Sequence, residues 1–206
     1  MFNFEICTTK QGWIGAEVTQ EHIETAKERY VERQLRFRAA GQEGHFAPDD
    51  MPDDVRDTKE DHRWSGDLGE MLVKDYLEQR AYDHTWLANV RKSEHDIDFL
   101  INRKPIDVKT KRRKRAPKNR KDYFETVNHE QFVIAKTREL AGFLFCDYAY
   151  KEDWIYLTGT VSFGKFDKLK QWRAKGSKSN VCLISADSWD IPITELVVPM
   201  KWPKAA

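Results

Sequence analysis

Asp96-Ile97-Asp98-Phe99-Leu100-Ile101-Asn102-Arg103-Lys104-Pro105-Ile106-Asp107-Val108-Lys109-Thr110 is the stretch on which the fold turns. Two short runs with period-2 alternation flank a polar link, the pattern of two strands joined by a tight turn. In the first strand Ile97, Phe99 and Ile101 face one way, and Asp96, Asp98 and Leu100 the other. In the second, Ile106 and Val108 take the apolar face and leave Asp107 and Lys109 together on the opposite one. A two- or four-residue hairpin puts Asp98 on the face of Asp107 and Lys109, whereas a three-residue loop without a bulge separates them.

Working outward, Gly66-Asp67-Leu68-Gly69-Glu70 opens a helix predicted over about Ser65 to Arg80. Leu68, Met71, Leu72 and Tyr76 form its apolar stripe, Gly69 permits close approach of a neighbour, and Glu70 falls at the edge of the stripe beside Val73 and Leu77. A strand is predicted at Thr85 to Val90. Beyond the central pair come a helix capped by Asn128 or Thr126 and running to Gly142, strands at Phe143 to Tyr150 and Trp154 to Val161, a short basic helix over Phe163 to Gly176, a strand at Val181 to Ser185 and a closing segment at Pro192 to Pro199. Toward the N-terminus, residues 1–18 read as a strand or hairpin. Thr19 starts a helix with the incomplete apolar stripe Ile23, Ala26, Tyr30, Leu35 and Phe37, and Gly41 to Arg63 reads as a long loop.

The chain has 206 residues, 40% hydrophobic and 12% aromatic, enough for one well-buried core and a single α/β domain with a mixed central sheet flanked by helices. A third of the residues are charged, yet the formal net charge is only +1, so the electrostatic message lies in distribution. Asp49, Asp50, Asp53, Asp54, Asp57, Glu60 and Asp61 make an acidic segment, while nine Lys and Arg crowd Lys109 to Lys121 without an acid. The basic run includes Lys111, Arg112, Arg113, Lys114, Arg115, Lys118, Arg120 and Lys121, which read as a phosphate track beside Lys109 or, more plainly, as a solvated loop. Three widely spaced cysteines, Cys7, Cys146 and Cys182, lack metal-site or disulfide spacing and fit a reducing cytoplasm. No apolar run approaches the roughly 18 residues of a membrane span, and the N-terminus has no secretory pattern.

Glu70, Asp98, Asp107 and Lys109 are the groups a phosphodiester hydrolase needs if the fold gathers them. A divalent metal activates water, stabilises charge on the phosphoryl oxygens and assists the leaving oxygen. Mg²⁺ takes hard oxygen ligands, usually one or two carboxylates with water and substrate phosphate, which makes Asp98 and Asp107 natural ligands and Glu70 a ligand to a second ion or a holder of metal-bound water. Lys109 is placed either to orient or deprotonate the attacking water or to neutralise developing charge. By itself an Asp-x-Lys pair is more often a solvated face.

The run Gly66-x-x-Gly69-Glu70, then Asp96-Ile97-Asp98-Phe99, then Ile106-Asp107-Val108-Lys109 resembles the PD-(D/E)xK nuclease superfamily and its restriction-endonuclease-like fold. The resemblance implies a nuclease core over about residues 64–161, an N-terminal addition over 1–63 and a C-terminal addition over 162–206. It also implies that Asp98, Asp107, the Val108 carbonyl and Glu70 hold metal, with Lys109 the catalytic lysine, Mg²⁺ the cofactor and Mn²⁺ a substitute. No proline precedes the first acid, so Asp96 competes with Asp98. Gln131 and His129, on the following helix, are second-tier candidates. The implied activity is a metal-dependent deoxyribonuclease, and the small chain, with no evident ring-forming or helicase-linked segment, favours an endonuclease over an exonuclease. Cutting both strands of a duplex takes two such sites, which a homodimer would supply. The competing readings are a catalytically inactive nuclease fold serving as a DNA-binding or assembly module, and a regulatory protein acting through the acidic segment.

Overall fold

The computed structural model describes residues 1–7, 13–41, 62–90, 97–116, 123–177 and 186–197. The acidic segment, Asp96, the strand expected at Val181 to Ser185 and Lys118, Arg120 and Lys121 of the basic run lie outside the described residues.

In chain order the elements are β1 (Phe4–Cys7), β2 (Trp13–Glu17), α1 (Gln20–Ala39), α2 (Ser65–Gln79), β3 (His84–Trp86), β4 (Phe99–Ile101), β5 (Lys104–Arg113), β6 (Phe124–Asn128), α3 (His129–Thr137), β7 (Gly142–Ala149), β8 (Trp154–Ser162), α4 (Phe163–Leu169), β9 (Gln171–Arg173) and β10 (Ser188–Pro192). A 3₁₀ turn, Ile193–Glu195, follows. The fold is mixed α/β. A seven-stranded central sheet runs in the order β1-β2-β8-β7-β5-β4-β3, and a second, three-stranded sheet in the order β6-β10-β9. Within the central sheet β5 and β7 are parallel and the other neighbours antiparallel, so the chain leaves β5 and returns to its flank through β6 and α3. No helix among the described residues is long and apolar enough to cross a membrane.

Strand alternation divides the core in two. Phe99, Ile101, Ile106 and Val108 turn toward a cluster with Leu68, Leu72 and Leu77 of α2 and Ala26 of α1. Phe143 and Phe145 of β7 turn the other way, into a cluster with Phe132 of α3, Phe166 of α4, Val127 of β6 and Ile191 of β10. Two helices therefore cover one face of the central sheet, and the small sheet with α3 and α4 covers the other.

Local chemistry sets the element ends. Thr19 Oγ1 accepts the His22 N–H at 3.3 Å while His22 Nδ1 accepts the Thr19 N–H at 3.2 Å, a reciprocal cap that starts α1. Gly69 lets α2 lie directly on β5, because a Cβ built there would run into the Thr110 side chain. Asn128 caps α3 by accepting the Glu130 N–H at 2.9 Å.

Several expectations need correction. Leu35 is 59% exposed rather than part of the α1 stripe, since it lies out of phase with Ala26 and Phe37. The helix expected over Phe163 to Gly176 stops at Leu169, and Gln171–Arg173 becomes a strand because it pairs with β10, Trp172 opposite Trp189. Phe124–Asn128, before α3, is also a strand and not only a helix lead-in. Most consequentially, β5 continues to Arg113, well past the predicted Thr110.

Candidate active site

The turn between β4 and β5 fixes the register of the two strands. Ile101 pairs with Lys104, leaving the two-residue loop Asn102-Arg103, with φ of 49° and 62° respectively. Positive φ at both central residues matches the twist of the flanking strands. Phe99 pairs with Ile106 as the last pair of that ladder, so Asp98 lies just outside the paired strand and its side chain is placed by its contact with the Val108 backbone, not by register.

β4 begins only at Phe99, so among the described residues the β5 backbone beyond Ile106 has no strand partner on that side. The Asp98 carboxylate takes the partner's place: Oδ2 accepts the Val108 N–H at 2.7 Å, and the residue is only 3% exposed. In an extended strand the N–H and C=O of one residue point to the same side. The Val108 carbonyl is therefore directed to the side on which Asp98 lies. Ile97 packs with the α3-side cluster, not with Phe99 and Ile101, because regular alternation starts only where β4 does.

Lys109 Nζ lies 2.8 Å from Asp107 Oδ2, with both side chains mostly but not wholly buried. They line a small cleft of about 20 Å³, room for a single water or ion, whose other walls are Ile97 and one side of α3. Gln131, Ile134, Ala135 and Arg138 supply that side. Their i, i+3, i+4, i+7 spacing is one helical stripe, so Gln131 joins Asp107 and Lys109, and Arg138 enters the site as a residue the sequence reading missed. The same periodicity, counted forward from Gln131, is the signal that would have found it.

Glu70 is not brought to this cleft. It is 3% exposed on the α1–α2 side of the sheet, where Oε2 accepts the Trp86 indole N–H at 3.0 Å and Oε1 lies 3.9 Å from Arg33. Arg33 also pairs with Asp67 at 2.9 Å, Arg29 stacks on Trp86 at 3.9 Å, and Trp86 stacks on Phe99. The helix acid thus belongs to a cation and aromatic network spanning α1, α2 and β3. His129 is likewise elsewhere: it accepts the Trp189 indole N–H at 3.0 Å and contacts Trp172.

Strand parity also breaks up the basic run. Lys111 points between the sheets and donates to the Phe124 carbonyl at 3.1 Å and to Thr126 Oγ1 at 3.0 Å. Arg113 pairs with Asp147 at 2.8 Å and lies 3.7 Å from Glu125, both acids almost fully buried. Arg112, on the opposite face, stacks on Tyr150 at 3.9 Å. Lys111, Arg112 and Arg113 thus each have a partner within the fold and are half-buried, whereas Lys114 and Arg115 are exposed. The buried acids carry their own signature. Burial, reinforced by Asp147, pushes Glu125 up to about 8 against the pull of Arg113 and Lys111, and Thr158 Oγ1 donates to it at 3.0 Å.

Among the described residues no three Asp, Glu, His or Cys side chains gather as a metal cluster. The Asp98 and Asp107 carboxylates and the Val108 carbonyl carry hard oxygens of the kind Mg²⁺ takes, one or two carboxylates with water and phosphate for the rest. The donor set fits that ion without Glu70.

Fold and cleft together define a mixed α/β protein with an acid–lysine pair on its central sheet, facing a Gln- and Arg-bearing helix. No protein-family model matches the chain, and no curated protein or solved structure matches it significantly.

Proposed function

We propose that the protein is a metal-dependent nuclease of the PD-(D/E)xK type that hydrolyses DNA phosphodiester bonds as an endonuclease. The observation that carries the reading is the Asp107–Lys109 ion pair in a cleft, with the buried Asp98 carboxylate hydrogen-bonded to the intervening Val108 N–H. Asp98, Asp107 and the Val108 carbonyl would hold Mg²⁺, or Mn²⁺ in its place. Such an ion supplies Lewis acidity toward the phosphoryl oxygen and lowers the pKa of a bound water.

The protein's own part is placement. Asp107 holds the Lys109 ammonium in the lining of the cleft, where it neutralises charge on the phosphate as the new bond forms. The Gln131 amide, across the cleft, is suited to hydrogen-bond the attacking water. Arg138, at the exposed end of the same stripe, is suited to take a phosphate oxygen in its guanidinium fork. The cleft admits little more than one water, so the nucleic acid backbone lies across its mouth and not inside it.

The engagement of Glu70 with Trp86 and Arg33 favours a second reading, a nuclease-like fold used for DNA binding or assembly without turnover. Incubation with single-stranded, duplex and branched DNA in Mg²⁺ or Mn²⁺ separates the two. Cleavage that Asp107→Asn abolishes supports the nuclease; intact DNA in every form with either metal sinks it and leaves the binding module.

A further inference from the structure

Trp172 is the one Trp, Tyr or Phe among the described residues with an exposed side chain, 45% open to solvent. It sits on β9, the edge strand of the small sheet, opposite Trp189 in the β10 register. Its ring is braced, not loose. Trp189 meets it at 4.8 Å and 67°, His129 at 5.3 Å and 84°, and the Trp189–His129 hydrogen bond ties the two supports together. Behind them Lys170 lies 4.8 Å from the Trp189 and Phe132 rings, so the support is continuous with the α3-side core.

The surrounding chain is strongly basic. From Phe163 to Ser177 there are Lys165, Lys168, Lys170, Arg173 and Lys175 against a single acid, Asp167. Lys165 is paired with Glu195, Lys170 with Asp167, and Arg173 with buried Asp190. Lys168 and Lys175 are exposed and take part in no ion pair among the described residues. A rigid, half-exposed indole with exposed ammonium groups four residues before and three after it, the Lys175 backbone N–H donating to Asp187 at 2.8 Å, is complementary to one class of ligand in particular: an unpaired base stacks on the ring while its phosphates meet the lysines. A duplex hides its base faces and has nothing to offer the indole.

We propose that Trp172 is a stacking platform for an unpaired base of single-stranded nucleic acid, with the adjoining backbone running past Lys168 and Lys175. This rests on the nuclease reading and narrows its substrate to one with a single-stranded tract. α3 links the two places, since His129 at its start supports Trp172 and Gln131 and Arg138 line the cleft.

The test is binding without metal, so that it stands apart from cleavage. Fluorescence anisotropy of the full chain with a labelled oligothymidylate, an unstructured RNA and a blunt duplex is the primary measurement. Trp172→Ala weakens single-strand binding about tenfold or more and leaves duplex binding unchanged, Trp172→Phe retains most of the affinity, and Lys168→Ala with Lys175→Ala flattens the salt dependence. Circular dichroism of each variant separates loss of the ring from loss of fold. Photocrosslinking of a 5-iodouracil oligonucleotide then maps to Trp172. Single-strand binding that is absent in the parent, or equal in the parent and a folded Trp172→Ala, overturns the proposal even if Asp107-dependent cleavage is found. So does a Trp172→Ala variant whose one defect is loss of self-association.

Discussion

Asp98 Oδ2 accepts the Val108 N–H at 2.7 Å, so a carboxylate completes the hydrogen bonding of β5 next to the Asp107–Lys109 pair. One side chain thereby has two separable jobs. Asp98→Asn keeps an oxygen that can accept the same N–H but removes the charge a metal needs. The expected result is a variant that melts near the parent and loses cleavage and Mg²⁺ binding. Asp98→Ala leaves a buried donor unpaired and is destabilised by about 1–3 kcal/mol. Urea titration and Mg²⁺ calorimetry on both variants check this; an Asp98→Asn protein that still cuts removes Asp98 from the metal set.

Lys109 is held by Asp107 in the lining of the cleft and, as an ammonium, makes no contribution to the oxygen donor set. Lys109→Ala is therefore expected to retain metal binding while its cleavage rate falls about a hundred-fold or more, the scale of losing one charge-stabilising donor. Lys109→Arg, with a longer and planar head group, recovers only a part. Measuring the rate at saturating Mg²⁺ separates the lysine's effect from metal affinity. Equal losses in both quantities would instead assign Lys109 to the metal site's architecture.

For Glu70 the structure predicts the opposite pattern. Glu70→Ala leaves the Trp86 indole N–H without its acceptor and withdraws one anion from the Arg33 group, at a cost of about 1–3 kcal/mol. Cleavage, assayed well below the melting temperature, is expected to persist with unchanged Mg²⁺ dependence. A folded Glu70→Gln whose metal requirement shifts would return the helix acid to the catalytic site.

These contrasts mark where sequence was informative and where it was not. Strand parity is local: the Asn102-Arg103 turn closes with two residues and Asp107 and Lys109 share a face of β5, while Asp98, one residue outside the ladder, is placed by its hydrogen bond to the Val108 N–H. Gly69 was legible for a similar reason, as a residue in a helix stripe with no side chain to keep Thr110 away. Glu70 stood at a helical boundary, and its direction was decided by Arg33 and Trp86, which come from α1 and β3. The basic run gave no sign of its internal partners, because charge pattern does not reveal where a strand ends. With β5 extended to Arg113, alternate cations turn into the space between the sheets, where Glu125 and Asp147 await them. The small sheet was partly hidden for the same reason, since β9 is only three residues long and takes its shape from β10.

The buried acid pair yields a pH prediction independent of catalysis. Glu125 is 1% exposed, faces Arg113, Asp147 and Thr158, and lies near Lys111 and Cys146, whose thiol is pushed well up by burial and by the two acids. With its pKa raised from the ordinary 4.5 to about 8, the folded protein keeps a proton across that interval which the unfolded chain releases. The unfolded state then binds fewer protons than the native one, so stability falls as pH rises from about 4.5 to about 8 and levels off above. Glu125→Gln, neutral in both states, removes this dependence. Its stability relative to the parent should therefore increase as pH rises from 5 to 8 in urea titrations. A parent and variant whose difference does not change over that range would mean that Arg113 and Lys111 hold Glu125 ionised in the folded protein.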